Sequence, residues 1–290
     1  MRRLFWFLLG LLILIIVVMH SGGNDGRQHS VPQPRQETRA PPSKQEEPKF
    51  DGQAIWDANL DKVVQVKVPH PTKAFWVNIG TGFFVSETGD GSCQIATDAH
   101  VFTGTPAVTK TAKDGSTQAM IVSTATITLP RSGQKLTAVL ELLDVANDLA
   151  IVRVDHVQNA KNVCKVPPIY DGPRYKGDRV VLLGVDPSTG KYRGSWGSIT
   201  YRTTAGRDID YMLPGENPDH TVVSMDIYAY HGDSGGPIFN PKQQVILVTV
   251  ASDNKRVGSG TPVSYLLQDL ERLKKSGRST DGTYIYVWQP

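Results

Sequence analysis

The chain has 290 residues, 39% of them hydrophobic and 20% charged, enough for one domain with a sizeable core and some additional segments. A net charge of +3 is too mild to argue for a nucleic-acid partner. Short apolar runs punctuated by 27 glycines and 19 prolines point to mainly β structure.

Met1, Arg2 and Arg3 precede sixteen uncharged, mostly apolar residues, Leu4 to Met19. At about 1.5 Å per residue this run spans roughly 24 Å as a helix, slightly short of a ~30 Å hydrocarbon core. Snorkelling arginines and local thinning of the bilayer can make up the difference. The exit, Val18-Met19-His20-Ser21-Gly22, is a poor cleavage site. Residues 1–20 therefore read as a signal anchor, with Arg2 and Arg3 cytoplasmic and the rest of the chain extracytoplasmic. Secretion after signal cleavage is the alternative. Residues 21–49 are poor in apolar residues and carry Pro32, Pro34, Pro41, Pro42 and Pro48, which describes an extended, disordered tether.

The domain is expected over residues 50–276. Phe50 to Leu60 suits a lead-in helix, and Val63 to Val68 reads as the first strand. Ile79 to Val85, the residues ending at Ile95-Ala96, Met120 to Thr128, Leu136 to Leu143 and Leu149 to Val154 complete a first set of about six strands. Lys161 to Lys176, with Pro167, Pro168 and Pro173, reads as a connection. Arg179 to Leu183, Tyr192 to Tyr201, Val222 to Ile227, Pro237 to Asn240 and Val245 to Ala251 form a second set. Leu266, Leu267, Leu270 and Leu273 have helical spacing within Val263 to Lys274, which has a basic end. A tail over residues 277–290 follows, and its Tyr284 to Trp288 run is expected to pack on the domain.

Three short motifs carry chemistry. His231-Gly232-Asp233-Ser234-Gly235-Gly236-Pro237 suits a loop that presents Ser234 Oγ while the N–H groups of Gly232 and Ser234 aim at one spot. Read alone, it is also compatible with a glycine-rich turn. Upstream stand His100, in Thr97-Asp98-Ala99-His100, and Asp148, immediately before the apolar Leu149-Ala150-Ile151-Val152. The order His100, Asp148, Ser234, with separations of 48 and 86 residues, supplies a base, an orienting carboxylate and a nucleophile.

At these motifs the sequence resembles the chymotrypsin-like, trypsin-fold serine peptidases, and most closely bacterial HtrA-like or glutamyl-endopeptidase-like enzymes without a PDZ domain. The Gly80-Thr81-Gly82-Phe83 strand adds to the likeness. The resemblance implies an all-β fold of two six-stranded antiparallel barrels, about 60–156 and about 177–262, with a C-terminal helix over 263–275 and the triad in the cleft between the barrels. It implies a serine endopeptidase acting on protein or peptide substrates without cofactor or metal. The oxyanion hole falls to Gly232 and Ser234, and substrate binding to Tyr228, His231, Thr249, Val250 and Ala251. No aspartate stands at the aligned pocket base, which disfavours a Lys or Arg preference, and Tyr228 suggests a pocket for small or medium apolar residues.

Two positions depart from or complicate the pattern. Asp98 replaces the family's common alanine, and it can raise the histidine pKa, bond a neighbouring loop or face solvent. Asp233 matches the aspartate that pairs with a newly cut N-terminus in animal zymogens, yet no activation site is evident here. Activity without zymogen-type cleavage is the expectation. Cys93 and Cys164 are the only cysteines, open to a disulfide or to two free buried thiols. The sequence leaves the oligomeric state open. The rival to an enzyme is a trypsin-fold protein-binding module with little or no turnover.

Overall fold

The computed structural model describes residues 50–104, 109–111, 117–204, 216–252, 257–276 and 285–287. The expected anchor (1–20), the linker (21–49) and most of the 277–290 tail lie outside the described residues. Among those described, no helix is long and apolar enough to cross a membrane.

Helix α1 (Gly52–Asn59) opens the domain inside the stretch expected to hold one. Asp51 caps it: Oδ1 accepts the Ala54 N–H at 3.0 Å, satisfying a donor that the first helical turn leaves free. Strands β1 (Val63–Pro69), β2 (Val77–Glu87) and β3 (Cys93–Thr97) then run antiparallel to one another in sequence. A single helical turn, α2 (His100–Thr103), follows β3, and β4 (Thr109–Thr111) pairs with β5 (Thr117–Ala119) as a separate ribbon. Strands β6 (Thr124–Thr128), β7 (Lys135–Asp144) and β8 (Leu149–Val154) complete the first barrel, in ring order β7-β6-β1-β2-β3-β8, closed because β7 also pairs with β8.

After the short helix α3 (Ala160–Val163), the second barrel closes in the order β10-β11-β14-β13-β12-β9. Its strands are β9 (Arg179–Val185), β10 (Tyr192–Thr204), β11 (Thr221–Met225), β12 (Pro237–Phe239), β13 (Val245–Ser252) and β14 (Gly258–Pro262). The sequence showed only five of these. Strand β14 is Gly-Ser-Gly-Thr-Pro, with no large apolar residue to mark it, yet it is buried throughout. It is small because it runs close to its neighbours: a Cβ at Gly258 would lie 2.9 Å from the Ile227 side chain, and one at Gly260 3.0 Å from Val248 O. Helix α4 (Val263–Ser276) follows, and β15 (Ile285–Val287) adds in parallel to β7, opposite Leu142–Asp144.

Strand periodicity divides the side chains between cores. In β8, Ala150, Val152 and Val154 point into the first barrel, while Leu149 and Ile151 point to the seam between the barrels. In β9, Val180 and Leu182 fill the second barrel, and Val181 and Leu183 reach the same seam. Burial on both faces is why these strands read as unbroken apolar runs. Helix α4 lays Val263, Leu266, Leu270 and Leu273 on the seam. Each fully buried Val, Leu, Ile or Phe contributes about 1.5–3 kcal/mol, against about 1 kcal/mol net for a hydrogen bond. Apolar burial by Phe83, Leu142, Ile151, Val181 and Phe239 therefore does most to hold the barrels together.

Cys93 and Cys164 form a disulfide, Cα atoms 6.2 Å apart, that ties the start of β3 to the chain just after α3. The sequence left this pairing open.

Candidate active site

His100 begins α2, directly after β3, and Asp148 lies in the turn between β7 and β8. That turn is built by Asp144, whose carboxylate accepts from Asn147 N at 3.1 Å and from Asn147 Nδ2 at 2.7 Å. Arg272 of α4 secures it, with Nη1 3.3 Å from Asp144 and 2.6 Å from Asp269. Asp148 itself sits at φ +52°, in the left-handed region that non-glycine residues seldom enter, so the surrounding bonds over-determine its position.

Both oxygens of Asp148 engage His100. Oδ1 accepts the backbone N–H at 2.9 Å, and Oδ2 accepts from Nδ1 at 2.7 Å. A carboxylate can only accept, so Nδ1 carries the proton and Nε2 is left as the basic nitrogen. Burial opposes the charged imidazolium, but the charge of Asp148 and its hydrogen bond, with a smaller effect of Glu216, outweigh burial and raise the His100 pKa above 6.5.

Asp98 does not face solvent: it is 0% exposed, with a carboxylate oxygen 3.8 Å from His100 Nδ1. Among the described residues neither carboxyl oxygen has a hydrogen-bond partner, and the nearby Gly235 N–H is committed to Thr249 O at 2.8 Å. Burial first, and then the charge of Asp148, push the Asp98 pKa well above the usual carboxylate range. Asp98, His100 and Asp148 place ligand atoms within 4.8 Å of one another, the one cluster of metal-ligating type among the described residues.

The second barrel covers this pair from behind. Asn217 N donates to Ala146 O at 3.0 Å, drawing residues 216–220 onto the Asp148 turn. His220 Nδ1–H donates to Asn217 O at 2.8 Å, and its ring meets Tyr265 edge-on. Burial lowers the His220 pKa, keeping a neutral ring beside the acidic turn. No sequence signal singled out Glu216 or His220, which reach the site only through barrel packing.

Ser234 occupies the loop between β11 and β12, partly buried at the seam. Its carbonyl accepts the Thr81 N–H of β2 at 2.8 Å, and Thr249 N donates to Gly236 O at 2.9 Å. Gly235, at φ +80°, packs so closely on Thr81 O and Thr97 Oγ1 that no side chain fits. A Cβ at Gly235 would also lie 2.8 Å from the Asp98 backbone nitrogen, which sets Ser234 beside the segment leading to His100. Of the three expected triad residues, His100 and Asp148 are joined by hydrogen bonds, while Ser234 comes from the second barrel to the same seam and, among the described residues, makes no hydrogen bond to His100. Gly232 has φ +94°, and among the described residues neither its N–H nor that of Ser234 donates to a protein acceptor. These are the two expected oxyanion donors.

The expected substrate-binding residues divide. Tyr228 is 46% exposed, its ring stacked on Tyr230 with centroids 6.2 Å apart, and its N–H held by Ser195 Oγ at 3.0 Å. His231 is exposed at the mouth of the loop. Thr249 and Val250 are buried, and Ala251 pairs with Ser259 of β14. The main-chain N–H and C=O of Thr249 are both spent on the Ser234 loop, so Thr249 is a brace for that loop and not a free edge for an incoming strand.

Two closed antiparallel barrels with a clamped histidine–aspartate pair and a glycine-flanked serine at their seam define the trypsin-fold class of serine hydrolase sites. The trypsin-like peptidase domain family matches residues 80–246, and the chain belongs to that family. It is 26% identical over 234 residues to a probable periplasmic serine endoprotease, DegP-like, of Rickettsia conorii, covering 77% of this chain and 38% of that protein. A protein of the same name from Rhizobium meliloti is 27% identical over 218 residues, covering 73% of this chain and 36% of that protein. The chain therefore spans under two-fifths of the length of these relatives. Among solved structures, the active form of the Rv3671c protease from M. tuberculosis superposes with a TM-score of 0.58 at 19% identity, covering 88% of this chain and 99% of that one. The HtrA-type protease AlgW with a tripeptide gives 0.55 at 18% identity, covering 76% and 62%. At these identities the structural likeness speaks to the fold alone.

Proposed function

We propose that the protein is a serine endopeptidase that cleaves peptide bonds through an acyl-enzyme on Ser234. His100 Nε2 takes the Ser234 hydroxyl proton as Oγ attacks the peptide carbonyl carbon. The carbonyl oxygen, now negative, is received by the N–H groups of Gly232 and Ser234. The C–N bond then breaks, and the proton on Nε2 goes to the leaving amine. Water repeats the cycle: His100 deprotonates it, it attacks the ester, and the proton returns to Ser234 as the acid departs. Asp148 holds the ring through both of its oxygens and stabilises the imidazolium.

The observation that carries this reading is the two-point grip of Asp148 on His100, at 2.7 and 2.9 Å, which leaves Nε2 as the base. The family match and the serine-endoprotease relatives support it. The periplasmic designation of those relatives, the apolar run at residues 4–19 and the disulfide support an extracytoplasmic site of action on exported or surface proteins.

The test is covalent labelling of the purified full chain by a fluorophosphonate, beside Ser234→Ala and His100→Ala. Label on the wild type that disappears in both variants is the expected result. A well-folded wild type that takes no label and degrades no casein overturns the reading in favour of a binding module.

A further inference from the structure

We propose that Arg193 is a positioning residue for this site: its guanidinium holds the oxyanion loop in working shape from within the chain. The proposal rests on the peptidase reading above and adds a residue that neither the motifs nor the family match assigns.

Arg193 stands on β10, 40 positions from Asp233, and reaches under the Ser234 loop. Its Nε–H donates to Asp233 Oδ1 at 2.9 Å, and its Nη2–H donates to the His231 carbonyl at 2.8 Å. One planar fork therefore grips the residues on both sides of Gly232, a task suited to arginine and beyond a single ammonium. The guanidinium also lies 4.7 Å from the Tyr230 ring centre, and Nη1 is 3.7 Å from Asp186 Oδ2.

These bonds bear on the loop through peptide geometry. The C=O and N–H of a trans peptide point in opposite directions. With the His231 carbonyl fixed on Arg193, the Gly232 N–H must turn to the opposite side. A rotated 231–232 peptide would lose the Arg193 bond and present an oxygen where the oxyanion needs a donor. The next carbonyl is pinned too, Gly232 O accepting from Thr81 Oγ1 at 2.6 Å, so the donor is fixed from the second barrel and from the first.

The other half of the latch is equally specific. Asp233 is 2% exposed, and its Oδ2 accepts the Tyr230 N–H at 2.7 Å. Its Oδ1 lies so close to Gly184 that any side chain there would collide with the carboxylate. A carboxylate this deeply buried requires a cation, and Arg193 is the one that meets it. The resemblance had assigned the matching aspartate of zymogens to a newly cut N-terminus; here the cation is internal, consistent with activity that needs no such cleavage.

The experiment measures the second-order rate of fluorophosphonate labelling on the full chain for wild type, Arg193→Ala, Arg193→Lys, Asp233→Asn and Ser234→Ala. Circular dichroism and thermal melts check folding. Attack on the phosphonate needs the same donors, so Arg193→Ala should label roughly 10²-fold more slowly, comparable to loss of one oxyanion donor. Millimolar methylguanidinium should restore much of that rate in Arg193→Ala and none in Ser234→Ala, and Arg193→Lys should fall between. A folded Arg193→Ala that labels at the wild-type rate overturns the proposal and leaves the peptidase reading intact. So does a slow Arg193→Ala that methylguanidinium fails to restore, because the arginine would then matter only for packing. A folded wild type that takes no label overturns both.

Discussion

The Cys93–Cys164 bond closes a loop of 71 residues that contains β3, α2 and the strands through β8. Cross-linking a loop of that size removes denatured-state entropy worth about 4 kcal/mol at 25 °C. Cys93→Ala/Cys164→Ala should therefore lower the unfolding free energy by roughly that amount, which for a domain this large lowers Tm by about 10 °C. Both sulfurs sit in apolar surroundings, so alanine leaves no unpaired polar group and adds only a small packing loss. Activity at 25 °C should survive, because the other end of β3 is held by its ladder to β8, with Thr97 opposite Ala150. The assay is urea denaturation of the full chain and the double variant, followed by tryptophan fluorescence, with a thiol count on denatured wild type. A loss below about 1 kcal/mol with zero free thiols would refute the entropic argument. Two free thiols in the wild type would refute the bond itself.

Asp148→Asn keeps the shape of the turn but replaces one accepting oxygen with N–H groups, reversing the tautomer of His100. We expect kcat to fall by about 10⁴-fold with a folded protein, measured on casein hydrolysis; a loss under tenfold would remove Asp148 from the mechanism. The groups facing His100 are Asp148, Asp98 and Glu216, and its pKa is raised above 6.5, so the acid limb of kcat/KM should have its midpoint above 6.5. For the same reason the pair's contribution to stability is fully present below pH 6.5 and fades as pH rises through the folded pKa. An NMR titration of His100 in Ser234→Ala that gives a value at or below 6.5 contradicts this. The raised pKa of Asp98 means that wild-type stability declines as pH rises from 3.8 towards the folded value. Asp98→Ala, which restores the alanine common in the family, should gain on wild type across that window; a stability difference independent of pH would show that Asp98 is already ionised or solvated.

What the sequence disclosed depends on how far each feature is written locally. Strand β8 was read with its observed bounds, Leu149–Val154, because burial on both faces makes it an uninterrupted apolar run. The pairing of His100 with Asp148 was legible because each stands in a short motif whose neighbours serve the same loop or turn. Strand β14 was not, because close approach to Ile227 and Val248 demands glycines and removes the apolar signal. Arg193 and Thr81 were equally hidden: they meet the Ser234 loop across 38 to 151 positions of sequence, and only barrel closure brings them together. For Asp98 the residues left open an effect on His100, a bond to a neighbouring loop or a solvent-facing position, and its complete burial rules out the last.

The clamp from Thr81 to Gly232 spans 151 positions and crosses the seam between barrels. A first-barrel fragment holds His100 and Asp148, the proposed base and its carboxylate, but not Ser234, the proposed nucleophile. A second-barrel fragment holds the serine and its arginine latch but neither base nor clamp. Division of the chain between Cys164 and Arg179 would therefore yield two inert pieces, each with its own closed ring of strands, and their reassociation along the seam could be followed as the return of proteolysis.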